Sequence, residues 1–112
     1  MEDKTVTLNE EMSSDMISFE IIANAGDCRS YAFQALNAAK AGNFAEAEDL
    51  MKKAEQSEIL AHRAQTKLLN REMNGKHTDV NVLLVHSQDH LMNGMLAREL
   101  IQELIELYRS RK

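Results

Sequence analysis

Apolar positions recur every three or four residues over three long stretches of the chain, the spacing of amphipathic helices. The first stretch runs from about Ser14 to Ala41 through Met16, Phe19, Ile22, Ala23, Gly26, Phe33 and Leu36, and Gly42 follows it where a helix-ending C′ glycine belongs. Asn43 then reads as the N-cap of a second helix, with Glu46 three residues on in the arrangement of a capping box. That pattern continues through Leu50, Ala54, Leu60, Ala61, Ala64 and Leu68 to about Met73, and Asn74-Gly75-Lys76 closes it. Thr78 is the expected N-cap of a third helix that runs to about Ser110 and ends in Leu104, Leu107 and Tyr108. Residues 1–12 show no sustained period and several acids, the pattern of a flexible leader, which leaves 13–112 as one domain.

Long helices joined by short connections pack as antiparallel neighbours, so the expected fold is all-α, an up-down-up three-helix bundle. Such a bundle is thin, roughly 40 Å long at 1.5 Å rise per residue, and leaves apolar surface that self-association would cover. The third helix adds a specific reason. Val82, Val85, Asp89, Met92 and Leu96 alternate three and four residues apart, a heptad seam in which Asp89 alone is polar. A carboxylate there must be paired, hydrogen-bonded, protonated, metal-bound or else turned to water at the seam's edge. If copies of the seam met on a symmetry axis, the Asp89 carboxylates would converge, and a divalent cation with oxygen ligands would relieve the repulsion. Periodicity alone leaves both readings open.

His86, Asp89 and His90 share one side of that helix, about 60° and about 40° apart when measured from His86. His86 flanks the seam, where an imidazole can be held by neighbours yet reached by another protein and can attack phosphorus through a neutral nitrogen. Most single histidines on helices are structural or simply exposed. His86 and His90 have the spacing of two metal ligands, but the interval Ser87-Gln88-Asp89 lacks the glutamate that HExxH places directly after its first histidine, which argues against a zinc hydrolase. His62 is expected to face the third helix and hydrogen-bond within the bundle, and His77 to be solvated in a connection.

Composition narrows the function further. With 112 residues, no proline, four glycines, no tryptophan and 44% hydrophobic content, the chain suits one helix-rich domain built on Leu, Ile, Ala and Met. A net charge of −5 argues against nucleic acid as the main partner. Cys28 is the single cysteine, so no intramolecular disulfide or cysteine-based zinc site forms, and it reads as a small core residue. No signal peptide or membrane-length apolar run is visible, which makes a cytoplasmic location the expectation. Gly26, Gly42, Gly75 and Gly94 are isolated, outside any phosphate-binding loop, and no nucleophile elbow is present.

The segment Val85-His86-Ser87-Gln88-Asp89-His90-Leu91-Met92 resembles the phosphorylation motif of the lactose/cellobiose-type enzyme IIA components of the bacterial sugar phosphotransferase system. Further stretches are similar to that family: Ala25-Gly26-Asp27-Cys28-Arg29-Ser30, Ala41-Gly42-Asn43-Phe44-Ala45-Glu46-Ala47, Ala61-His62 with Gln65-Thr66 and Leu68-Leu69, and Met95-Leu96-Ala97-Arg98-Glu99-Leu100. The likeness spans nearly everything from Met16 to Tyr108.

The resemblance implies a homotrimer that accepts a phosphoryl group from the histidine phosphocarrier HPr and passes it to a cysteine of a IIB component for uptake of a β-linked disaccharide. By position it makes His86 the phosphohistidine, modified at Nε2, and Asp89 the ligand of a shared structural metal, Mg2+, one per trimer. It also implies supporting roles for Gln88 and His90. The tail Ala97-Arg98-Glu99-Leu100-Ile101 looks closer to cellobiose- and chitobiose-type members than to lactose-type ones. The competing reading is a non-catalytic helical adaptor or regulatory paralogue of the same fold. Departures are few: Ser87 and Cys28 stand where alanine is common, and Asn93-Gly94 follows the motif, where Gly94 is expected to loosen the helix by up to about 1 kcal/mol relative to alanine.

Overall fold

The structure, a computed structural model, describes residues 12–111, so all but Met12 of the expected leader lies outside the described residues. Three helices follow one another, α1 (Ser14–Lys40), α2 (Phe44–Met73) and α3 (Val82–Ser110), within a residue of the sequence pattern except at the start of α3. Among the described residues there is no strand, and no helix is long and apolar enough to cross a membrane.

The helix ends show how the sequence sets the connections. Ser13 caps α1, its Oγ accepting from the Met16 N–H at 3.1 Å. Gly42 ends α1 at φ 83°, and around it the Asn43 and Gly42 N–H groups donate to Ala38 and Ala39 carbonyls at 2.8 and 3.0 Å. The end of α2 repeats the device with Gly75 at φ 80°, where Lys76 and Gly75 donate to Arg71 and Glu72.

This turn corrects the expected capping box at Asn43. The Asn43 side chain makes no capping bond, and its backbone N–H, which Glu46 would have to reach, is already taken by Ala38. The start of α3 is corrected as well: Asn81, not Thr78, is the cap, accepting from the Leu84 N–H at 2.8 Å. Thr78 instead lies 3.2 Å from the Ser14 hydroxyl, tying the α2–α3 connection to the start of α1.

The core is built around α1, which packs extensively against both other helices, whereas α2 and α3 touch each other less. Its inward face matches the expected apolar series at Leu36 but not at Met16, Phe19 or Phe33. Ile17, Ile21, Ala25, Cys28, Ala32, Ala35 and Ala39 are buried, while Met16, Phe19 and Phe33 lie at the surface. Small residues win the interior because they let helix backbones approach closely, and Ala47, Ala54, Ala61 and Ala64 do the same on α2. The expected thinness holds, at 31 × 19 Å across, while the 59 Å length exceeds the roughly 40 Å expected from helix rise.

On α3 the buried positions are Ser87, Leu91, Gly94, Ile101 and Ile105. Val82, Val85, Met92, Leu96, Leu100 and Leu107 are all exposed, Val82 at 86%. Leu91 and Leu100 are nine residues apart, about 180° around the helix, so the apolar seam faces directly away from the core.

Gly94 marks the tightest crossing. A Cβ built there would lie 3.0 Å from the carbonyl oxygen of Ala25 on α1. The loosening expected from its low helix propensity is therefore the smaller effect, since glycine is what this close approach requires. Gly94→Ala is expected to lower the unfolding free energy by about 1–3 kcal/mol through overpacking, despite the propensity gain. Urea denaturation checks this, and an unchanged or more stable variant would contradict the close packing.

Candidate functional site

His86 and His90 project from neighbouring turns of α3 and meet. Their Nε2 atoms are 3.1 Å apart, and the rings stand edge to face with centroids 4.5 Å apart and planes at 87°. A hydrogen bond between two imidazole nitrogens needs a proton on one and a lone pair on the other, so the contact fixes complementary tautomers. His86 is exposed and His90 half-buried, which leaves the first ring open to an approaching partner while the second is anchored.

On its other side His90 borders a depression of about 340 Å³, lined also by Gly26, Arg29, Ser30 and Phe33 of α1. The Arg29 guanidinium lies 5.6 Å from the centre of the Phe33 ring, a cation–π contact that limits its wandering. Sequence reasoning gave Arg29 and Ser30 no role; their one signal was that they fell in a stretch resembling the family.

Asp89 is exposed, as are Val85, Met92 and Leu96 around it. Among the described residues no group of three His, Cys, Asp or Glu side chains within the chain could hold a metal ion. One chain thus brings a single hard oxygen donor to an outward apolar face, and a metal here would need the same residue from further copies.

Gln88 is not brought to His86. It lies about 160° around the helix from it and pairs with Gln65 of α2, each amide donating to the other's oxygen at 2.7 and 2.8 Å. This reciprocal bond pins α3 to α2 where direct packing between them is sparse. Ser87 beneath it is fully buried and donates to the Leu84 carbonyl.

The remaining histidines play no part here. His62 is exposed, contrary to the expectation that it faces the third helix: Ala61 and Ala64 take the inward positions and turn it outward, and its carbonyl accepts from the Thr66 hydroxyl. His77 is exposed in the connection as expected, with Nδ1 2.9 Å from a Glu72 carboxylate oxygen.

Cys28 is buried, as expected, with Sγ 3.8 Å from the Gly94 carbonyl. Burial, reinforced by the Glu58 carboxylate, pushes its thiol up to about 11, so it is a poor nucleophile at neutral pH. Glu58 itself pairs with Arg98 at 2.9 Å, a largely buried contact between α2 and α3 that holds the guanidinium above its usual range. No periodicity argument pointed to that pair.

Three comparisons with known proteins place this geometry. The family model described as "PTS system, Lactose/Cellobiose specific IIA subunit" matches residues 16–109. A lactose-specific EIIA component from Streptococcus mutans is 45% identical over 91% of this chain and 97% of that protein. Among solved structures, the cellobiose-specific enzyme IIA of Bacillus anthracis superposes with a TM-score of 0.84 at 44% identity, covering 91% of this chain and 94% of its own. The IIA component in the IIA(Chitobiose)-HPr complex of the Escherichia coli N,N'-diacetylchitobiose branch gives 0.73 at 44% identity, covering 84% and 91%.

Proposed function

Because the chain belongs to the lactose/cellobiose-specific IIA family of the sugar phosphotransferase system, we propose that His86 carries a phosphoryl group from HPr to a cysteine of a IIB component. The observation that carries this reading is the His86–His90 contact on an exposed flank of α3. With the proton on His90 Nε2, His86 Nε2 is the unprotonated nitrogen a nucleophilic imidazole needs, and its one lone pair, engaged by His90 in the resting contact, is released for attack when the His90 N–H turns to a phosphoryl oxygen. That lone pair attacks phosphorus as the P–N bond to the donor histidine breaks, and the bonding electrons return to the donor ring. In the second step a IIB thiolate attacks phosphorus and the P–Nε2 bond to His86 breaks. Both steps balance without a further reactant, so the protein's task is positioning and tolerance of charge.

His90 supports the site by holding the tautomer of His86 and then offering its N–H to a phosphoryl oxygen. The described structure of a chitobiose IIA with HPr favours HPr as the donor here too. For the sugar, we favour a cellobiose- or chitobiose-type β-linked disaccharide over lactose on the tail from Ala97 to Ile101. Overall identity does not rank the sugars, since lactose- and cellobiose-specific relatives lie at 45% and 44%. The site of action is the cytoplasm, where HPr and IIB domains operate.

The outward seam supports a homotrimer in which Val82, Val85, Met92 and Leu96 of three copies pack together. Asp89 would then be repeated three times around the axis, and a divalent cation, Mg2+ by its preference for oxygen ligands, would offset the repulsion in a structural capacity. In such an assembly Gln88 and His86 lie on opposite flanks of the seam, so any support from Gln88 reaches His86 from a neighbouring copy.

His86→Ala is expected to abolish phosphate acceptance from phospho-HPr, read by intact mass, with helicity and oligomeric state unchanged; His90→Ala should slow acceptance without abolishing it. Acceptance surviving in the His86 variant would make another residue the carrier. Asp89→Leu is expected to keep or raise the thermal midpoint and to remove its dependence on added Mg2+, because an apolar residue completes the seam. Strong destabilisation in metal-free buffer would contradict the shared-carboxylate arrangement.

A further inference from the structure

The depression beside His90 differs in chemistry from three other depressions among the described residues. Those three each include carboxylates in their lining, namely Glu48 and Glu55, Glu72, or Glu99 and Glu103. The one next to His90 includes none, in a chain whose net charge is −5, and it gathers Arg29, Ser30 and His90 instead. All three are donors. Ser30 Oγ accepts from the Gln34 amide at 3.1 Å, so its own proton is free to be donated elsewhere. Arg29 presents a fork of N–H groups suited to tetrahedral oxyanions.

Gly26 adds an independent sign. It lies inside α1, where glycine costs helix stability relative to alanine, and a Cβ there would meet nothing within 4 Å. Gly94, by contrast, is explained by the close approach of Ala25. Packing within the chain gives Gly26 no such reason, and a side chain at Gly26 would extend into the depression it lines.

We propose that this depression is the receptacle for the phosphoryl oxygens during transfer to and from His86, with the Arg29 guanidinium neutralising their charge and the Ser30 hydroxyl as a second donor. The inference rests on His86 being the carrier. His90 links the two places, since its Nε2 meets that of His86 and its side of the helix lines the depression together with Arg29 and Ser30. In the transfer, the P–N bond to the donor histidine breaks as the P–Nε2 bond to His86 forms, no proton is exchanged at the reacting nitrogen, and the charge on the three equatorial oxygens faces Arg29 throughout.

The test uses the full chain, charged by phospho-HPr, with the modified residue of the wild type first located by peptide mapping. Arg29→Ala is expected to raise the midpoint of the phosphoryl group's own titration, followed by ³¹P resonance, by roughly one unit, because a nearby cation favours the dianion. It should also slow single-turnover transfer at saturating donor roughly tenfold or more, and Arg29→Lys should restore part of both effects. Gly26→Leu, which fills the depression from the other side while keeping the helix, should slow transfer with no loss of thermal stability. The proposal is overturned if Arg29→Ala and Gly26→Leu leave titration and transfer rate within about twofold of wild type, or if Arg29→Ala raises only the KM for phospho-HPr, which would make Arg29 a contact for the donor protein. A wild-type chain phosphorylated at a residue other than His86 would sink the carrier assignment and this inference together.

Discussion

Close helix contact through small side chains is the constraint on which the rest of this molecule depends. Ala25, Ala32, Ala35 and Ala39 line the inner face of α1, and at its tightest point the Ala25 carbonyl faces Gly94 of α3 across a gap that a methyl group would enter only by displacing backbone. Large apolar side chains at these positions would hold the helices apart. Because alanine and glycine take the closest crossings, the interior accommodates Ile17, Ile21, Leu91, Ile101 and Ile105 but leaves Phe19 and Phe33 of α1 and Val82, Val85, Met92 and Leu96 of α3 at the surface, where they are available to partners. Dispersion between closely spaced backbones then supplies much of the cohesion that larger side chains provide elsewhere.

That arrangement also fixes where chemistry can occur. With Leu91 and Gly94 turned inward, the opposite face of α3 carries the apolar seam and Asp89, and the flank between the two faces carries His86 and His90. The histidine pair is therefore set between an interface and a donor-lined depression, exposed enough to be reached and constrained enough to hold one tautomer. The reciprocal Gln65–Gln88 bond and the Glu58–Arg98 pair brace α3 against α2 where packing is sparse, keeping that flank at a constant angle to α1.

Much of this was legible in the sequence, and the failures share physical causes. Helix extents followed from three- and four-residue spacing because that signal is averaged over many positions. The inner face of α1 was misread because hydrophobicity ranks Phe19 and Phe33 above alanine, whereas the interior selects by how near two helices can come. Asn43 stands at the N-cap of α2 as expected but without its capping box, and the cap of α3 was misassigned to Thr78, because a side chain's capacity to cap says nothing of competing bonds, the Ala38 carbonyl in one case and the Ser14 hydroxyl in the other. At the site, the i, i+4 spacing of His86 and His90 implied contact and the structure brings them together; Gln88, inside the same motif, points to α2 because adjacent letters on a helix face different directions. Arg29 escaped notice because its place beside His90 depends on the register between two helices, which no periodicity within one of them encodes.

Incubating the purified chain with phosphoenolpyruvate, enzyme I and HPr, then measuring intact mass and mapping the acid-labile phosphate by peptide, tests the central claim most directly. A single phosphate on the peptide that contains His86, in a form bonded through Nε2, is the predicted result. A chain left unmodified while HPr is demonstrably charged, or a phosphate found on His62, His77 or His90, would contradict it.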